Sequence, residues 1–118
     1  MSVEVRASDQ FERAVKPLVK RYPSLREELL QLKQKLLRDP HQGTHIGHGL
    51  YKIRLAIKSK GRGKSGGARV ITYVEAIVAA IQDEPEDTLV NLVFIYDKSD
   101  MDAIGVKELR EMVKAMKG

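Results

Sequence analysis

Five cations crowd the segment KSKGRGKSGGAR on a string of glycines and serines: Lys58, Lys60, Arg62, Lys64 and Arg69. Just ahead of them, Lys52 and Arg54 alternate with Tyr51, Ile53 and Leu55, and Lys98 follows the last apolar run. Between Pro40 and Val74 there is no Asp or Glu, whereas Asp83 to Asp102 holds seven acids against the single base Lys98. A cationic patch concentrated in this way is the electrostatic footprint of a polyanionic partner, because each phosphate paired with Lys or Arg releases a counterion. If the polyanion is RNA, cations converging on one phosphodiester can also do chemistry. The trigonal-bipyramidal phosphorane carries more negative charge than the ground state, so fixed guanidinium and ammonium groups bind it preferentially. The same alternation also describes a plain solvent-facing strand.

Other chemistries are less well supplied. A phosphate-binding loop of the Walker type needs a glycine five residues before Gly63-Lys64-Ser65, and that position is Lys58. The three histidines, His41, His45 and His48, fall together in HQGTHIGHG, where imidazoles can bind zinc or act as a general base. No carboxylate stands within that cluster, and Gly43, Gly47 and Gly49 suit a flexible connection better than a rigid metal centre. No serine sits in a G-x-S-x-G elbow. The cysteine count is zero, which rules out disulfides and thiolate metal sites and suits a reducing compartment.

The elements that must position the cations can be read from periodicity. Val3 and Val5 alternate as in a short strand, and Asp9 with Glu12 suggests a capping box ahead of Phe11, Ala14, Val15, Leu18 and Val19 at helical spacing. Pro17 falls inside that helix and should kink it or leave a carbonyl unpaired. Pro23 ends it, Ser24 and Glu27 suggest a second capping box, and Leu25, Leu29, Leu32 and Leu36 line one face of a second helix that closes at Asp39-Pro40. Tyr51, Ile53, Leu55 and Ile57 then alternate with the cations, which sends the two sets to opposite faces of a strand. ARVITYVEAIVAAI and TLVNLVFIY are two further strands joined by a turn at DEPED, giving a three-strand antiparallel meander over residues 50 to 97. Val106, Leu109, Met112, Val113 and Met116 form the stripe of a last helix.

The expectation is one α+β domain over residues 1–118: an N-terminal strand, an α-helical hairpin packed on a mainly antiparallel sheet, and a C-terminal helix. A hydrophobic share of 42% beside 31% charged residues is ordinary for a globular chain. No apolar run approaches membrane-spanning length and no leader-like segment opens the chain, so a cytoplasmic address without membrane contact is expected.

The order strand, α-hairpin ending in KRYPSLREEL, then QGTHIGHGLYKIRLAIKSKGRGKSGGARVITYV and LVFIYDKSDMDAI before a final helix resembles the RelE/ParE toxin superfamily, nearest its HigB-like branch. The resemblance implies a toxin of a type II toxin–antitoxin system. Its action would be that of a ribosome-dependent endoribonuclease that cuts mRNA without a metal or other cofactor, by attack of a ribose 2′-hydroxyl on the adjacent phosphate. It further implies that Lys52, Arg54, Arg69 and Lys98 are catalytic, that Lys58, Lys60, Arg62 and Lys64 meet RNA, and that the partners are a cognate antitoxin, the ribosome and mRNA. Residues 99 to 118 contain no aromatic and no histidine, where such enzymes often carry a substrate-orienting tyrosine, leaving Tyr73 and Tyr96 as substitutes. Two rival expectations stand beside this one: a ParE-like gyrase inhibitor without chemistry, and a non-catalytic RNA- or ribosome-binding module.

Overall fold

A computed structural model describes residues 2–60, 66–77 and 87–118; Arg62, Lys64, positions 78–81 of the expected second strand and positions 83–86 of the expected DEPED turn lie outside them. Its elements in chain order are β1 (Val3–Ala7), α1 (Asp9–Arg21), α2 (Leu25–Arg38), β2 (Thr44–His45), β3 (Leu50–Leu55), a 3-10 turn (Lys58–Lys60), β4 (Ala68–Ile77), β5 (Asp87–Asp97) and α3 (Val106–Lys117). The strands form one sheet in the order β1-β5-β4-β3-β2. β3, β4 and β5 are the antiparallel meander read from the sequence. β1 adds to it in parallel beside β5, and the two-residue β2 adds antiparallel beside β3. No helix is long and apolar enough to cross a membrane among the described residues.

Both helices of the hairpin cover one face of the sheet. Phe11 and Leu18 of α1 and Leu25, Leu32 and Leu36 of α2 pack on Ile53, Leu55, Ala68, Val70, Val90 and Ile95. Leu25 and Leu36 are fully buried, and each such side chain contributes roughly 1.5–3 kcal/mol by leaving water. The opposite face is covered by α3, whose Leu109, Val106, Met112 and Val113 pack with Leu50, Ile71, Val93 and Tyr96. The sheet is therefore sandwiched, and the cation-bearing positions of β3 share the α3 side.

Both expected capping boxes are corrected. α1 is capped by Ser8, one residue before Asp9: Ser8 is extended, and its hydroxyl accepts the Phe11 N–H at 3.1 Å. Asp9 stands inside the first turn, where a negative charge suits the helix dipole instead. Ser24 has helical dihedrals and makes no cap bond; its hydroxyl is held by Glu28 at 3.0 Å and by Ser59 at 2.8 Å. Pro17 is accommodated at an exposed position within the unbroken α1.

A register shift between Ile71 and Thr72 pairs them with Phe94 and Leu92, so Val93 is an extra residue in β5. The bulge keeps Tyr96 and Phe94 on the α3 side while sending Leu92 and Val90 to the hairpin side. An uninterrupted period of two would have put all four together.

Gly67 opens β4 under close constraint. A Cβ there would lie 2.0 Å from the Leu55 carbonyl oxygen and 3.0 Å from its carbon. Both obstacles are backbone of the neighbouring strand, which cannot rotate away. Gly67→Ala is expected to cost about 2 kcal/mol or more, read as a lowered urea midpoint at unchanged slope. An unchanged midpoint would mean that the β3 and β4 ends separate without penalty.

Candidate nucleic-acid interface

β3 and β4 bring two arginines face to face. Arg54 pairs with Arg69, and Arg69 in turn pairs with Tyr96 of β5, so the three residues form one row across three strands. Lys52 lies two residues along β3 on the same face. The Leu50 carbonyl accepts from Ile46 N–H at 2.9 Å on the β2 side, so by alternation Arg54 and Arg69 are a non-hydrogen-bonded pair, whose Cα atoms stand only about 4.5 Å apart. Like charges directly opposed on a sheet are destabilising.

The two guanidiniums are not equivalent. Arg54 is exposed and makes no ion pair among the described residues. Arg69 is buried, at 6% exposure, and donates to the Ala68 carbonyl at 3.2 Å. Its charge acts on Tyr96, where burial pushes the phenol up and Arg69 pulls it down by less. The Tyr96 hydroxyl thus stays protonated at neutral pH. Its oxygen is also buried, with no hydrogen-bond partner among the described residues. Tyr73, the other aromatic considered, sits midway along β4 opposite Leu50, where its ring meets the Lys117 ammonium at 5.1 Å. Tyr96, and not Tyr73, belongs to the row.

The remaining cations divide by environment. Lys98 continues β5, its N–H donating to Gly67 O at 3.0 Å, but its ammonium is tied to the Asp102 carbonyl at 2.6 Å. Lys58 is exposed, and its own N–H is fixed by Glu28 at 2.7 Å. Lys60, expected to meet RNA, is instead internal: its side chain is 7% exposed and its ammonium binds Asp97 on the hairpin side of the sheet. Asp97 also accepts from Arg21 at 3.0 Å, Tyr22 at 2.5 Å and the Ser99 N–H at 2.8 Å. Burial pushes the Asp97 carboxyl up, but the hydrogen bonds from Lys60, Tyr22 and Ser99, together with the Lys60 charge, outweigh it and hold the group far below the usual carboxylate range. Lys60 is a structural cation. Of the eight cations read from the sequence, the structure brings Lys52, Arg54 and Arg69 together, places Lys98 past the end of the neighbouring strand and Lys58 at the 3-10 turn, and turns Lys60 inward.

The histidine segment is more ordered than its glycines suggest. Thr44 and His45 pair with Lys52 and Tyr51 as β2. The His41 and His45 rings lie 5.6 Å and 4.9 Å from the Tyr51 ring, and Tyr51 alternates to the face opposite Lys52 and Arg54. Neither ring faces the cation row.

No protein-family model matches the chain, and no curated protein matches it.

Proposed function

We propose that the protein is an RNA-directed toxin of the RelE type, an endoribonuclease that cuts mRNA on the ribosome without a metal and is neutralised by a cognate antitoxin. What supports this reading is the row Arg54–Arg69–Tyr96 with Lys52 beside it. An exposed guanidinium stands beside a buried one, with Lys52 next along the strand, a set of cations suited to a phosphodiester and better suited to its more negative phosphorane. Held RNA would present its own 2′-hydroxyl to the phosphate, so positioning and charge stabilisation are the protein's main contributions. The acidic or amphipathic segment of an antitoxin is the natural cover for such a surface. The experiment is brief induced expression followed by mapping of transcript ends. Discrete breaks spaced by codons are expected, together with arrested translation. Intact transcripts with an induced DNA-damage response would instead identify a gyrase poison and contradict the proposal.

A second reading, the same surface as an RNA or ribosome binder without chemistry, is favoured by one observation. His41 and His45 face away from the row, and Tyr96, whose phenol burial pushes up, does not supply a base there. Ribosome association of the purified protein with transcripts left whole would select it.

A further inference from the structure

We infer that the outer edge of β3 is a docking lane for an extended, acidic segment of a partner protein, which would join the sheet beside Arg54 and Ala56. β2 pairs with Tyr51 and Lys52 only. The chain must leave the sheet at Gly43, which has φ +90° and whose Cβ, were there one, would fall 2.4 Å from the Lys52 carbonyl oxygen. Leu50 turns its carbonyl and its N–H toward the β2 side, to Ile46 and Gly47, so Lys52 and Arg54 turn theirs the same way. The Arg54 N–H and C=O therefore project past the end of β2, and no hydrogen bond takes them among the described residues; Ala56, just beyond the strand, makes none either. An edge of this kind is a template for an added strand unless it is blocked.

The lane has a floor and a charge. Between α2 and this edge lies a groove of about 200 Å³, with Leu32, Ile53 and Leu55 as apolar lining and Lys35, Ala56 and Lys58 around them. Lys35 and Lys58 are exposed and make no ion pair among the described residues. Glu28 is the only carboxylate lining the groove among the described residues, and both its oxygens are engaged, by the Ser24 hydroxyl and the Lys58 N–H. An entering strand would send alternate side chains onto Leu32 and Leu55 and offer carboxylates to the two lysines. A second copy of the chain would bring Lys35, Arg54 and Lys58 against their own likeness, which repels. An acidic partner is what the charge selects. The lane lies on the side of β3 away from Arg69, so it does not depend on the RNA reading.

The test uses the whole protein and a fluorescent octapeptide of alternating Glu and Val, followed by anisotropy and by amide NMR. Micromolar binding is expected, with the Arg54 and Ala56 amides shifting. Methylating the peptide nitrogens that face β3 is expected to weaken binding about tenfold or more, as is the double reversal Lys35→Glu, Lys58→Glu. Because the methylation alters the peptide and not the protein, it reads main-chain pairing without any risk to folding. No binding up to about 1 mM, or equal binding of the methylated peptide, would overturn the inference. So would concentration-dependent dimerisation through this edge, which would name a second copy as the occupant.

Discussion

Asp97→Ala is expected to remove about 3–5 kcal/mol of stability, the cost of leaving a buried charge without its partner. The Asp97 side chain has no exposure and the Lys60 side chain 7%, so water cannot replace what is lost. Arg21 and Tyr22 lose the same acceptor. Against a total of roughly 5–15 kcal/mol for a small domain, the variant should unfold at a fraction of the wild-type urea midpoint. Adding Lys60→Met should recover much of the loss, because an apolar side chain of similar length needs no counter-charge. Failure of the double variant to recover would mean that Arg21 and Tyr22, not Lys60, carry the penalty. The same network fixes the pH response. The folded carboxyl titrates well below its unfolded value of about 3.9, so its contribution is complete above that pH and is lost as the pH falls toward the folded value. Asp97→Asn should flatten the acid limb of the stability profile and leave neutral-pH behaviour destabilised.

Arg54→Ala is expected to slow RNA cleavage by about 10²-fold or more while leaving the unfolding free energy within about 0.5 kcal/mol of wild type. Arg54 is exposed and makes no ion pair among the described residues, so little folded structure depends on it. Arg54→Lys keeps the charge but not the planar two-pronged geometry that suits a phosphate, and should fall between the two. Arg69→Ala would be a poorer test, since burial makes its removal a folding defect as well. Single-turnover cleavage of a programmed ribosome, with denaturant curves in parallel, separates the two effects. Wild-type cleavage by Arg54→Ala would take the exposed guanidinium out of the chemistry.

The alternation of Lys52 and Arg54 with Ile53 and Leu55 was legible because one face of β3 is core, and period two then fixes the other. The leucine stripe of α2 was legible for the same kind of reason. Burial of Lys60 was not: its carboxylate lies 37 residues on, and within a Gly-rich run nothing local distinguishes an inward lysine from an outward one. The choice between Tyr73 and Tyr96 was equally hidden, because LVNLVFIY is apolar but for Asn91 and does not reveal the bulge at Val93. Ser24 kept its helix-starting position but gave its hydroxyl to Ser59, a partner across the fold. β2 is two residues long, too short for any period to register.

RNA affinity measured against salt asks most directly whether the row holds a phosphodiester. For wild type and Arg54→Ala on the same single-stranded RNA, the logarithm of the association constant should fall linearly with the logarithm of salt concentration. The variant's slope should be shallower by about 0.7, the share of one phosphate contact. Identical slopes and affinities in the two proteins would show that RNA does not touch Arg54, and the assignment of this face to RNA would be wrong.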